Sequence, residues 1–167
     1  MPSAADGDWL AVKIAEGMNV VTVDRPFEGA DAMQKLGGGI DETLVRQDLR
    51  GREQAERAAI DMLVGPDPPT ALFSSQNLIT IGAVRALHNL RLQHSVAPIG
   101  FDDIEFDDLI EPGITVLDQD PSKIGQLATE RIVARVSGER SSARVHVIPT
   151  HLIPRGSGEI RLSDTGR

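Results

Sequence analysis

Hydrophobic and polar positions follow two different patterns along the chain. Continuous apolar runs rich in β-branched residues predict buried strands at 19–24 (NVVTVD), 70–75 (TALFSS), 96–102 (VAPIGFD) and 114–119 (ITVLDQ). Between these runs, apolar residues recur at spacings of three and four and predict helices over 52–63, 78–90 and 122–138. Because strands alternate with helices, the chain is predicted to be an α/β protein with a doubly wound, mostly parallel sheet.

Weaker patterns predict further elements. The run 8–17 has the spacing of a helix, and a short helix follows near Ala32 and ends at the glycines 37–39. Strands are predicted over 42–49 (ETLVRQDL) and within the final stretch 143–158. Asp120 before Pro121 is a typical helix start. The helix that follows is expected to bury four apolar residues, Ile124, Leu127, Ile132 and Val136.

Composition and charge exclude several classes of function. A net charge of −8 argues against neutralising DNA phosphates, and 3% aromatic residues argue against a surface on which bases stack. The absence of cysteine excludes disulfides and thiol nucleophiles. No apolar run approaches the ~18 residues of a membrane span. The first ten residues, MPSAADGDWL, lack the features of a signal peptide, so we expect a cytoplasmic protein.

No motif in the sequence indicates an enzyme. The patterns GxSxG, GxxxxGK[ST], GxGxxG and HExxH are all missing, and the triplet Gly37–Gly39 is better placed as a helix cap than as a phosphate loop. No two of the four histidines (His88, His94, His146, His151) have the helical spacing of a zinc pair. The pair Ser74–Ser75 is interpreted as a helix cap or as a hydrogen-bonding contact to a ligand. Neither a cofactor nor a metal is therefore expected.

The stretch 99–112 (IGFDDIEFDDLIEP) places six carboxylates between Asp102 and Glu111. It fails as a calcium loop, because Asp108 and Ile114 stand where an EF-hand has glycine and glutamate. As a short helix it has an acidic face with an apolar seam, which is predicted to contact a partner subunit or the rest of the protein through Ile104, Phe106, Leu109 and Ile110. Only Asp102, at the end of a strand, is a candidate pocket residue.

Three strings of residues, PDPPTALFSSQNL, IGFDDIEFDDLIEPGITVLDQ and VIPTHLIPRGS, resemble the effector-binding domain of the lactose-repressor/galactose-repressor family of bacterial transcription regulators. The resemblance runs from about Val45 to Ser157, and VVTVDRP at 20–26 is similar to a strand of the family's N-terminal lobe. It implies a periplasmic-binding-protein-like fold with two α/β lobes. Each string alone is a weak signal, but their order and combination are specific.

The sequence departs from the family pattern near its start. The helix-turn-helix DNA-binding module, the hinge helix and the first strands of the N-lobe have no counterpart, and Pro26 stands where the family has arginine. We therefore expect a remnant of the N-terminal lobe at 1–40, a nearly complete C-terminal effector-binding lobe at 41–157 and a flexible tail at 158–167. DNA binding would require the missing module.

The resemblance also implies ligand contacts. By position they fall on Asn77, Gln119, Asp24 and Arg25, while Leu49 replaces an aromatic residue that stacks on ligands in the family. Asn77 is equally well explained as a plain helix cap, and the other three as polar residues at strand ends. Carboxylate and amide groups suit the adjacent hydroxyls of a sugar or a nucleoside.

The sequence therefore predicts the ligand-sensing domain of a regulator of this family, which acts as a homodimer, binds a small-molecule effector and contacts no membrane. A transport-type sugar-binding protein of the same fold is the alternative, and an export signal would distinguish it. An α/β enzyme with an unusual site at Asp102 or Asp103 is a third hypothesis. The identity of the effector is left open.

Overall fold

Five strands form one sheet in the computed structural model, which describes residues 20–23, 42–105, 107–142 and 144–161. Neighbours in the sheet follow the chain order: β1 (Val20–Val23), β2 (Ala71–Ser74), β3 (Ala97–Phe101), β4 (Thr115–Asp118) and β5 (His151–Ile153). The first four strands are parallel, and β5 is antiparallel to β4. The predicted α/β class with a mostly parallel sheet is confirmed.

Three α-helices connect or follow these strands: α1 (Arg52–Leu63), α2 (Asn77–Asn89) and α3 (Pro121–Val136). They agree with the predicted helices to within two residues at either end. Short 3-10 helices occur at Glu42–Leu44, Asp107–Leu109 and Ser157–Glu159. Asp120 caps α3 as predicted, since its side chain accepts the backbone N–H of Lys123 at 2.8 Å.

The strand predicted over 42–49 is wrong, and the strand predicted within 143–158 is present but has only three residues. The run 42–49 begins with a 3-10 helix, and Asp48 has a φ of 61°, which interrupts an extended backbone. Within 143–158, the strand is His151–Ile153, and Gly156 makes an isolated parallel bridge to Gly113. Pro149 and Pro154 flank this strand, and a proline cannot donate a ladder hydrogen bond.

The main core lies between α1, α2 and the sheet. Its centre is formed by small and branched residues, among them Ala55, Ala59, Leu72, Ile79 and Leu87. The two helices approach closely at Gly82, where an added Cβ would lie 2.4 Å from the carbonyl oxygen of Arg52. The close contact of α1 with α2 therefore depends on a glycine at this position.

A second apolar cluster lies beneath the acidic stretch and joins it to the sheet. Val84 of α2, Ile114 and Val116 pack there with Ile104, which is only 7% exposed. Ile110 packs against the same cluster.

The predicted burial of α3 is wrong. None of its residues is buried, and Ile132 and Val136 are 63% and 84% exposed. The described residues do not cover the apolar face of α3 that the spacing predicted to be buried.

The helices predicted over 8–17 and near Ala32, with the glycines 37–39, lie outside the described residues. The prediction places 20–23 in a remnant N-lobe. In the structure these residues form β1, at one edge of the sheet. The division into 1–40, 41–157 and 158–167 remains a prediction.

Candidate functional site

The carboxyl ends of the four parallel strands meet at one edge of the sheet. The register aligns Val23 with Ser74, Ser74 with Gly100, and Gly100 with Val116. In parallel α/β sheets this edge is where ligands bind. Asp102 and Gln119 follow directly after β3 and β4, and Asn77 lies three residues after the end of β2. Asp24 and Arg25 would follow β1, but they lie outside the described residues.

The backbone of Asp102 is held in place at this edge of the sheet. Its backbone has a φ of 66°, a left-handed conformation that aspartate tolerates better than most residues. Its N–H donates to the carbonyl of Leu117 at 2.9 Å, which fixes the end of β3 against β4. Its Oδ1 atom is buried and accepts no hydrogen bond from any described residue. Such an acceptor costs about 1–3 kcal/mol until a donor reaches it.

Asn77 and Gln119 are the other two predicted ligand residues at this edge of the sheet. Asn77 is exposed and is the first residue of α2, with Gln76 at the cap position and no side-chain cap bond. The predicted cap role of Asn77 is therefore wrong. Its Oδ1 instead accepts the N–H of Leu78 at 2.7 Å. Gln119 is partly buried just beyond β4.

Leu49 packs differently from what the resemblance implies. It is partly buried against the core cluster of α1 and α2. Its ligand role, like those of Asn77, Gln119, Asp24 and Arg25, remains a prediction.

The sequence did not indicate that His151 lies at the same edge. Because β5 runs antiparallel to β4, its first residue His151 pairs with Asp118, the last residue of β4. His151 is exposed. The direction of β5 could not be read from its own short apolar run.

Hydroxyl groups beneath the edge hold β2, β3 and α2 together. Ser74 Oγ lies 2.7 Å from Thr80 Oγ1 and 3.2 Å from the carbonyl oxygen of Ile99. Thr80 Oγ1 also donates to the carbonyl of Gln76 at 3.0 Å. Both side chains are buried, at 2% and 1% exposure. Ser74 is thus a structural residue that positions the start of α2, and its hydroxyl contacts the protein itself where a ligand contact was one prediction.

Two acids of the acidic stretch are held by one arginine. Arg155 donates to both carboxylate oxygens of Asp103, at 2.6 and 2.8 Å, and its Nε lies 3.2 Å from Asp107 Oδ2. Asp107 is buried and also accepts the N–H of Ile114 at 2.7 Å. The hydrogen bond from Arg155 lowers the pKa of Asp103, and the same bond raises the pKa of Arg155. Asp103 and Asp107 therefore have a structural role, because they connect the acidic stretch to Arg155.

The final motif PRGS closes over the sheet beside this arginine. Ser157 is fully buried, and its Oγ donates to the carbonyl of Pro98 at 2.6 Å and accepts the N–H of Thr115 at 2.9 Å. Thr115 Oγ1 accepts the N–H of Arg155 at 3.0 Å. The residues that carry the resemblance at this end are therefore structural.

The apolar seam predicted to contact a partner is divided in the structure. Ile104 is buried in the chain's own core, Ile110 is partly buried, and Leu109 is 77% exposed. Phe106 lies outside the described residues. A partner contact through this seam remains a prediction, and Leu109 is the most exposed of its described members.

The described residues contain neither a metal cluster nor a membrane-spanning helix. No three His, Asp or Glu side chains within them are arranged to hold a metal ion. No helix in the described part of the chain has the length and apolarity needed to cross a membrane.

Comparisons with known proteins give the family. Residues 19–158 match the model of the periplasmic binding protein-like domain. The chain is 40% identical over 95 residues to the HTH-type transcriptional regulator PtxS of Pseudomonas aeruginosa, a match that covers 56% of this chain and 28% of that protein. It is 31% identical over 167 residues to the probable HTH-type transcriptional repressor ExuR of Bacillus subtilis, which covers 91% of this chain and 50% of that protein. The chain thus spans half or less of the length of these relatives.

Solved structures share the fold. A regulatory protein of the LacI family from Chloroflexus aggregans aligns with a TM-score of 0.76 at 22% identity, over 90% of this chain and 59% of that one. The transcriptional regulator CelR in complex with cellobiose aligns with a TM-score of 0.76 at 26% identity, over 88% of this chain and 49% of that one. Together with the match over 19–158, these similarities show that the chain belongs to the periplasmic binding protein-like domain family, in the form found in LacI-type transcriptional regulators.

Proposed function

We propose that this chain is the effector-sensing part of a LacI-type regulator and binds a sugar or a nucleoside at the carboxyl edge of its sheet. The observation that carries the proposal is the buried Oδ1 of Asp102, which lacks a donor among the described residues. A ligand hydroxyl is such a donor, and a hydrogen bond to a charged acceptor contributes about 1.5–3 kcal/mol.

The surrounding groups favour a neutral polyol over a phosphorylated ligand. Asp102 and Asp118 bring negative charge to the strand ends, and the chain as a whole carries −8. The amide groups of Asn77 and Gln119 both donate and accept, as adjacent hydroxyls require. The relative CelR was solved with cellobiose, a neutral sugar.

Ligand binding would act on transcription by stabilising one of two conformations. A ligand shifts such an equilibrium only by the difference between its affinities for the two states. DNA would be contacted through a helix-turn-helix module beyond this chain, in a cytoplasmic homodimer. The relatives are transcriptional regulators, which favours this function over a transport-type binding protein or an enzyme.

A thermal-shift screen of neutral sugars and nucleosides tests the proposal. Binding at about 100 times the dissociation constant adds about 2.7 kcal/mol of stability, which raises the melting temperature by several degrees. The proposal predicts at least one such ligand, with no shift from the corresponding phosphate esters. It is contradicted if only phosphorylated compounds raise the melting temperature, or if none of the panel does.

A further inference from the structure

Asp102, the residue on which the proposed ligand site depends, has a backbone that needs support from its surroundings. Its φ of 66° is unfavourable for a residue other than glycine, and such a conformation persists only where neighbouring contacts maintain it. On the side of β4 that support is the hydrogen bond from its N–H to the carbonyl of Leu117, at 2.9 Å. The direction of the chain after Asp102 has to be fixed by other contacts.

The next residue in the chain, Asp103, provides these contacts. Its carboxylate accepts two hydrogen bonds from Arg155, at 2.6 and 2.8 Å, and its Oδ1 also accepts the N–H of Ile104 at 2.8 Å. Two parallel bonds between a guanidinium and a carboxylate fix the orientation of the pair as well as its distance. Ile104 is buried in the apolar cluster beneath the acidic stretch. The chain is therefore held at both residues that follow Asp102.

Arg155 is itself fixed at its backbone. Its N–H donates to Thr115 Oγ1 at 3.0 Å, and the N–H of Thr115 donates to Ser157 Oγ at 2.9 Å. Thr115 and Ser157 are fully buried, and the side chain of Arg155 is only 25% exposed. Because the backbone and the guanidinium are both bound, Arg155 is a well-defined support for Asp103.

The guanidinium of Arg155 is engaged by protein carboxylates. Its Nη1 and Nη2 bind the two oxygens of Asp103, and its Nε lies 3.2 Å from Asp107 Oδ2. All three side-chain nitrogens therefore face acids of the chain itself. Any effect of Arg155 on a ligand at Asp102 passes through Asp103.

We propose that Arg155 is a positioning residue of the ligand site, which holds Asp103 and thereby keeps Asp102 in the conformation that presents its carboxylate at the edge of the sheet. The inference rests on the proposed ligand role of Asp102. A binding group must be held within about 0.5 Å of its productive geometry by the residues around it. Loss of the contact between Arg155 and Asp103 therefore weakens ligand binding although it removes no ligand contact.

A purely structural role of Arg155 makes a different prediction. The side chains of Arg155 and Asp103 are 25% and 43% exposed, and an ion pair exposed to this extent contributes little to stability. Variants that lack it should therefore remain folded. A folded variant keeps its affinity for a ligand if the pair serves stability alone, and it loses affinity if the pair positions Asp102.

The first experiment needs no ligand and follows amide hydrogen exchange by NMR in the whole chain. The N–H of Asp102 should be protected in the unmodified chain. Arg155→Gln and Asp103→Asn should each accelerate its exchange about tenfold or more relative to the N–H of Leu72 in β2, because a local opening affects only the amides near it. An unprotected Asp102 N–H in the unmodified chain, or equal acceleration of both amides, overturns the proposal.

Arg131→Gln is the matched control. Arg131 of α3 makes an ion pair with Glu139 at 2.7 Å, and the side chains of this pair are 40% and 36% exposed. Its removal should leave the exchange of the Asp102 N–H unchanged. An acceleration equal to that in Arg155→Gln would overturn the proposal.

The second experiment measures dissociation constants by calorimetry, with cellobiose first and then the other neutral sugars and nucleosides of the thermal-shift panel as probes. For a probe that binds the unmodified chain, Arg155→Gln and Asp103→Asn should each weaken binding about tenfold. The double variant should bind no more weakly than either single one, since both substitutions break the same link. Arg131→Gln should bind as the unmodified chain does.

Arg155→Lys separates charge from geometry. Lysine keeps the positive charge but cannot form the two parallel hydrogen bonds of a guanidinium. This variant should therefore lose affinity as Arg155→Gln does, and full affinity in Arg155→Lys would overturn the proposal.

Asp102→Asn distinguishes a failure of this inference from a failure of the proposed function. If no probe binds, or if Asp102→Asn leaves the affinity unchanged, the proposed ligand site is wrong and this inference fails with it. If Asp102→Asn weakens binding while Arg155→Gln or Asp103→Asn does not, the ligand site stands and the positioning role of Arg155 is overturned.

Discussion

At the scale of single residues, Arg155 determines what the acidic stretch does. It pairs with both Asp103 and Asp107, and the segment that carries it is held by the buried Ser157. Asp103 and Asp107 therefore connect the segment after β3 to the C-terminal segment. Asp102 is the exception, since its buried Oδ1 has no donor within the described structure.

Asp103→Asn should lower stability modestly and in a pH-dependent way. The side chain of Asp103 is 43% exposed, so solvent screening limits the loss to no more than about 1 kcal/mol near pH 7. The pKa of Asp103 is lowered in the folded state, so its contribution exists above the unfolded pKa and is lost as the pH falls through the folded one. Urea unfolding from about pH 7 down to about pH 2 should show the two proteins converging in acid. A constant difference across this range would contradict the ion pair.

Ser157→Ala should lower the free energy of unfolding more than the removal of one small hydroxyl group suggests. The variant leaves the carbonyl of Pro98 and the N–H of Thr115 without their partner in a fully buried site. We expect a loss of about 1–3 kcal/mol in the free energy of unfolding. Ser95→Ala, at an exposed position, is the control and should change stability by less than about 0.5 kcal/mol. Equal effects of the two substitutions would refute the structural role of Ser157.

At the scale of elements, the sequence predicted best those features that depend on residues close together in the chain. The helices α1, α2 and α3 and the strands β2, β3 and β4 were predicted to within two residues, because apolar periodicity and turn residues are local signals. The pattern of α3 could not reveal that its face is uncovered, since coverage depends on residues elsewhere. Arg155 was likewise hidden, being 52 residues from Asp103 in the chain.

Gly82→Ala should destabilise the packing of α1 on α2. The added Cβ would meet the carbonyl oxygen of Arg52 at 2.4 Å, and a backbone atom cannot rotate away. We expect a loss of about 1–3 kcal/mol despite the better helix propensity of alanine. Gly125→Ala is the matched control, because an added Cβ in α3 meets nothing within 4 Å. That variant should gain about 0.5–1 kcal/mol in chemical denaturation. A stabilised Gly82→Ala variant would show that the helices are not in close contact.

At the scale of the whole molecule, the candidate site follows from the direction of the strands. Four parallel strands bring their carboxyl ends to one edge, so Asn77, Asp102 and Gln119 could be grouped from the sequence. The sequence could not predict the left-handed backbone of Asp102 or the position of His151 beside Asp118. Both depend on the three-dimensional path of the chain. The proposed ligand site therefore depends most on Asp102.

The most direct measurement is the dissociation constant of the ligand found by thermal shift, determined by calorimetry for the unmodified chain, Asp102→Asn and Asp67→Asn. Asparagine tolerates the left-handed backbone of residue 102 but removes the charged acceptor, while Asp67 is exposed in the loop before β2. We predict that Asp102→Asn weakens binding about 10- to 100-fold, the loss expected for one charged hydrogen bond. Asp67→Asn should bind as the unmodified chain does. Unchanged affinity in Asp102→Asn would contradict the account.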